Sequence, residues 1–149
     1  MPKILTKEEA YNKCETEGMF IPKKEIDKDK INSMLEIIEE DLITINELKE
    51  KMDRWNTIYK LSYDVIHTLT EAFLMFDKIK SLNHQCLFAY LCIKHPELEF
   101  DWNFFEKIRT KRNGINYYGS SVAKQDYKDI EVQIFLYINT LKKTIKEKL

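Results

Sequence analysis

The chain has 149 residues, with 24 basic and 25 acidic side chains and a formal net charge of -1, so its bulk charge gives no electrostatic case for nucleic acid or an anionic membrane. Three Gly and three Pro are too few for a turn-rich β architecture or long linkers. Apolar residues at 44% and charged residues at 33% fit one folded domain rather than a disordered chain.

Residues 1–27 carry mixed charge together with Gly18 and Pro22, and read as an N-terminal arm with a short helix over residues 7–16. The opening MPKILTKEEA has no apolar run followed by a small-residue cleavage site, so it does not read as a secretory signal. No uninterrupted apolar stretch reaches the ~18 residues a membrane-spanning helix needs. The expectation is no membrane association and a cytoplasmic protein. Cys14, Cys86 and Cys92 are odd in number and lack CxxC spacing, which predicts free thiols in a reducing compartment.

Residues 28–149 read as a helical bundle. Ile31, Leu35, Ile38, Leu42 and Ile45 alternate steps of four and three, which predicts an amphipathic helix over about residues 29–52. A second helix, over about 55–78, carries Trp55, Ile58, Tyr59, Val65, Ile66, Leu69, Phe73 and Phe76 and is apolar on more than one side, as a central helix would be. Ser81 or Asn83 then offers an N-cap for a third helix, which Pro96 ends. Asp101 caps a fourth, with Trp102, Phe105, Ile108 and Ile115 at near-helical spacing, closing around Gly114–Gly119. Ser120 or Ser121 is the expected cap of the last helix, whose stripe runs Tyr127, Ile130, Ile134, Tyr137, Leu141 and Ile145. The sum is an all-α, up-down bundle of four to five helices joined by short loops.

One segment combines cations with aromatics: Lys107-Ile108-Arg109-Thr110-Lys111-Arg112-Asn113-Gly114-Ile115-Asn116-Tyr117-Tyr118-Gly119. On a continuing helix, Phe105, Arg109, Arg112 and Asn116 share a face, so Arg112 follows the stripe that packs inward. A guanidinium there needs a carboxylate, backbone carbonyls or a bound phosphate. Tyr117 and Tyr118 offer rings for base stacking. A plainer account stands beside this: cations at a helix C-terminus complement its dipole, and the tyrosines fill the end of the bundle.

Arg112-Asn113 near the end of the penultimate helix, followed by tyrosines and a glycine, resembles the signature of HEPN domains. Ser81-Leu82-Asn83-His84 resembles the Ser-x-x-His that opens the third helix of many members, and residues 63–76 resemble their second helix. The likeness covers about residues 30–147. It implies a HEPN-like helical bundle, usually a homodimer, in a family of metal-independent endoribonucleases, RNA-binding modules and toxins paired with a small nucleotidyltransferase.

The family's active pattern is Arg followed, four to six residues on, by His. Arg112 and the polar Asn113 match, but positions 117, 118 and 119 are Tyr, Tyr and Gly. A tyrosine with a pKa of about 10 is a poor base at neutral pH, whereas an imidazole near 6.5 suits proton transfer. The expectation is therefore a weakly active or non-catalytic homodimer that binds RNA, a nucleotide or a partner protein, with a divergent endoribonuclease toxin as the alternative. Arg112, Asn113 and Tyr117 are the candidate catalytic residues. Lys107, Arg109, Lys111, Asn116, Tyr118 and His84 are the candidate binding residues.

His84 either hydrogen-bonds locally in its helix's first turn or folds over to supply the absent imidazole. His67 reads as a satisfied core or interface histidine, and His95 as an exposed loop residue. The three lack the spacing of metal ligands, and no phosphate-binding glycine loop is present, so neither a metal nor a cofactor is expected.

Overall fold

A computed structural model describes residues 4–149. In chain order the elements are α1 (Lys7–Thr16), β1 (Phe20–Pro22), α2 (Lys28–Lys51), α3 (Trp55–Phe76), β2 (Ile79–Ser81), α4 (His84–Lys94), a short 3-10 turn (Pro96–Leu98), α5 (Trp102–Tyr118) and α6 (Lys124–Lys148). The fold is an all-α bundle with one small two-stranded ribbon. No helix among the described residues is long and apolar enough to cross a membrane.

The helix starts follow local chemistry. Thr6 and Glu9 form a capping box for α1, Asp27 accepts from the Lys30 amide, Asn83 from the Cys86 amide, and Asp101 from the Asn103 amide. Gly119, at φ 66°, closes α5, and the Ser120 amide donates back to the Gly114 carbonyl. The last helix departs from expectation. Neither Ser120 nor Ser121 caps it; it begins at Lys124, and the Asp126 carboxylate accepts the Ala123 amide at 2.8 Å.

α3 lies at the centre, packed against α2, α4, α5, α6 and β2. Its broad apolar surface explains this: Ile58, Tyr59, Tyr63, Val65, Ile66, Leu69, Phe73 and Leu74 are all buried. Across the core the Phe88 and Phe105 rings stack with centroids 4.4 Å apart. The buried Ser62 hydroxyl shares a 2.9 Å hydrogen bond with Tyr127, so neither polar group is orphaned.

Three local expectations are corrected. First, β1 and β2 form an antiparallel ribbon, with Ile21 opposite Lys80, extended by the Leu82 amide donating to the Met19 carbonyl. Three-residue strands are too short to show a period of two in sequence, and two residues past the end of α3 Lys78, at positive φ, turns the chain into the ribbon. Second, Cys14 and Cys86 are joined in a disulfide across 72 positions, tying α1 to the first turn of α4. Of the three expected free thiols only Cys92 is free; it is buried, with burial pushing its thiol up to about 12, and the disulfide removes the argument for a reducing compartment. Third, the side chain of His95 is mostly covered. Its Nε2 lies 2.6 Å from Asp77, its Nδ1 3.1 Å from Glu97, and its ring meets Phe73 edge-on.

Closing so long a loop is worth about 4 kcal/mol in the chain-entropy account. Cys14→Ser should lower unfolding free energy by up to about that amount under oxidising conditions. Denaturant titration checks this, and the wild type in excess reductant should lose a similar amount.

Candidate functional site

Three elements converge at one end of the bundle. On α3, Tyr63, His67 and Glu71 recur at steps of four and so share a face. The N-terminus of α4 supplies His84, placed by its Asn83 cap, and the disulfide at Cys86 ties this turn to α1. α5 brings Arg109 and Arg112 across the same end.

His84 sits among them. Its Nδ1 and the Tyr63 hydroxyl share a 2.9 Å hydrogen bond, and its ring lies 3.9 Å, centroid to centroid, from that of His67. His67 Nδ1 in turn contacts Glu71 at 2.9 Å. A depression of about 310 Å³ is lined by Asn83, His84, Gln85, Arg109, Arg112, Asn113 and Tyr117.

The two arginines are not equivalent. Arg109 is satisfied: its Nε and Nη2 donate to Glu106 at 3.0 and 2.9 Å, and Gln85 holds the same carboxylate at 3.1 Å. Arg112 has a side chain only 16% exposed, yet its contacts are loose. Nη2 lies 3.8 Å from Asp64, Nη1 donates to its neighbour Asn113 at 3.4 Å, and the plane sits 5.3 Å from the centre of the Tyr63 ring. Its buried Nε has no hydrogen-bond partner. A fork with five donors, mostly removed from water and served by two long contacts, is a costly arrangement unless something else meets it.

Electrostatics follow the same geometry. Burial, with the neighbouring His67 and Arg112, pushes the His84 imidazole down to about 4. Burial raises the Tyr63 hydroxyl above its usual range despite the two arginines, so it stays protonated. Burial raises the Asp64 carboxyl too, and Arg112 only partly offsets it. Burial also works against the ionised Glu71, but its hydrogen bond with His67 and nearby cations leave it below the ordinary carboxylate value.

Of the residues singled out in the sequence, the structure brings His84, Arg109, Arg112, Asn113 and Tyr117 to one depression. Lys107, Asn116 and Tyr118 are exposed and do not line it, and Lys111 faces Asp126 at 3.7 Å. Lys107, Lys111 and Tyr118 recur at steps of four and seven, and so lie on a different face of α5 from Arg109 and Arg112. Tyr63, Glu71, Glu106 and Gln85 were not foreseen, nor was the part His67 plays. The Tyr63, His67, Glu71 ladder was available as a polar row at helical spacing within an otherwise apolar helix.

Among the described residues no group of His, Cys, Asp and Glu is arranged to hold a metal ion. Comparison with family models, with curated proteins and with solved structures finds no match for this chain.

The depressed imidazole ties stability to pH. The unfolded chain takes up a proton near 6.5, whereas the folded one resists it until about 4. Folding is therefore progressively weakened as pH falls through that window, with His67 and Glu71 of α3 and Arg109 and Arg112 of α5 as the charged and titratable groups facing the ring. His84→Gln should flatten the pH dependence of the denaturation midpoint between about pH 6.5 and 4. An unaltered slope would show that another group sets it. Removing the under-served cation should also not cost stability: Arg112→Met should leave the thermal midpoint unchanged or higher, as read by calorimetry.

Proposed function

We propose that the chain is an RNA-binding domain of the HEPN kind, acting as a homodimer that grips a phosphodiester in the Arg112 depression. The observation that carries this is the Arg112 guanidinium, largely buried with an unpartnered Nε. A phosphate oxygen supplies the acceptor that the protein withholds, and a guanidinium fork suits two phosphate oxygens at once. Arg109, anchored by Glu106, adds charge and holds the rim. The Tyr117 ring, 69% exposed, is free to stack on a base. Tyr118, at 81%, is equally open to a base or to a small nucleotidyltransferase partner that modifies tyrosine.

A second reading, slow metal-independent cleavage, is favoured by one fact: His84 lines the same depression as Arg112 although it comes from another helix. In that reading the imidazole takes the 2′-hydroxyl proton, the 2′-oxygen attacks phosphorus, the bond to the 5′-oxygen breaks, and the leaving oxygen takes a proton from water. An imidazole pushed down to about 4 is neutral at pH 7 but weakly basic, and it has no second proton to donate. Binding is therefore the principal function proposed and turnover at most slow.

Single-stranded RNA mixed with the purified protein in EDTA tests both. Binding should weaken steeply as salt rises, because phosphate contacts release counterions. Arg112→Ala should lower affinity about tenfold or more, the worth of a hydrogen bond to a charged group. Affinity indifferent to Arg112 rejects the reading. Any cleavage should disappear in both His84→Ala and Arg112→Ala; cleavage that survives either belongs to a contaminant.

A further inference from the structure

We infer that the RNA groove continues past His67 into a second nucleotide subsite beneath the β1–β2 ribbon, which takes a nucleobase on an apolar floor and its phosphate on a lysine rim. This rests on the RNA-binding reading above and extends it.

Three depressions adjoin one another, each sharing lining residues with the next. Asn83 and His84 line both the Arg112 depression and the next one, which also holds His67. Glu71, Ser81 and Leu87 line that middle depression and a further cleft of about 300 Å³. A chain entering at Arg112 is thus led past the imidazole pair and under the ribbon. The far cleft lies at the lower end of the size range of small-molecule sites, ~300–1,000 Å³.

Its lining identifies the ligand class. The floor is Met34, Leu74, Met75, Ile79 and Leu87. Two thioethers in this apolar lining favour an aromatic ring, because polarisable sulfur packs well against one. The rim carries Lys23, Lys24, Lys30 and Lys80, none of which forms an ion pair among the described residues. Set against the three carboxylates of the same lining, four exposed ammonium groups leave the rim net positive, which suits a phosphate. Glu25 and Glu71 add acceptors for the N–H edges of a base, a need that an acyl chain does not have. Asp27 lines the cleft as well, its side chain already capping α2, so the four lysines outnumber the carboxylates by one.

The test compares a dinucleotide, long enough for the Arg112 depression alone, with an octanucleotide, by fluorescence anisotropy in metal-free buffer. The octanucleotide should bind the wild type about tenfold or more tightly than the dinucleotide, in line with one further stacked base and its phosphate. Lys24→Glu with Lys80→Glu should abolish that gain and leave dinucleotide affinity unchanged. Met75→Trp, which fills the cleft without altering charge, should do the same. Lys143→Glu with Lys146→Glu, an equal charge change on exposed positions of α6, should preserve the gain. A gain that survives both cleft variants, or one lost equally in the α6 variant, overturns the subsite. If the dinucleotide binds and the octanucleotide binds no better, only this inference falls. If neither binds, the RNA reading falls with it.

Discussion

Everything distinctive about this end of the bundle depends on one guanidinium kept out of water without adequate partners. Arg112 is enclosed by the Tyr63 ring, a distant Asp64 and its own neighbour Asn113, and its Nε has no hydrogen-bond partner. A cation placed this way costs free energy unless paired, and a methionine of similar reach would pack there without that cost. Arg109, three residues earlier, shows what full satisfaction looks like on the same helix: two good bonds to one carboxylate, itself steadied by Gln85. The contrast separates an arginine fully served by the protein from one that the protein leaves without a close acceptor.

Holding that arrangement requires that three helices not drift apart. α3 is immobilised by burial on nearly all sides, so Tyr63 and His67 are fixed points. α5 is keyed to α4 by the Phe88 and Phe105 stack one to two turns from the arginines. The start of α4 is the weak place, because a helix's first turn lacks intrahelical partners for its amides. It is secured three times: by the Asn83 cap, by the ribbon that delivers residues 79–81, and by the covalent tie from Cys86 to α1. The N-terminal elements thus serve the site without contributing to the Arg112 depression.

How much of this was legible in the sequence varied with range. Helix positions were, because an amphipathic stripe is a local property and the caps at Asn83 and Asp101 are local chemistry. Arg112 was recognisable as anomalous, since a long cation on an inward stripe conflicts with the pattern around it. The ribbon was not, because its two strands lie far apart in sequence and are three residues each. The disulfide was not, because an odd set of cysteines with no motif carries no pairing information. His84 was visible only as one of two alternatives, and the structure decides its place by packing: the ring lies against His67 and its Nδ1 meets Tyr63, neither of which is near it in sequence. Lys107, Lys111 and Tyr118 entered the candidate set by proximity along the chain, and helical rotation separates them from the depression; Asn116 shares the arginines' face but is exposed and does not line it.

The pairing of a depressed imidazole with an under-served cation has a consequence for the proposed ligand. His67 and Arg112 help hold the imidazole at about 4, beside the larger effect of burial. A phosphodiester seated on Arg112 brings a negative charge into that field and removes part of the electrostatic penalty on protonating His84. By linkage, protonation of His84 must then strengthen phosphate binding by the same factor. The free site is therefore built to stay neutral at the imidazole, and occupancy itself raises the ring's basicity toward the range where proton transfer becomes useful. Burial is the part of the depression that an anion cannot relieve, and it sets the ceiling on that gain. A site governed this way binds first and reacts reluctantly, which is why affinity rather than turnover is the property that the arrangement of Arg112, Tyr63 and His84 best supports.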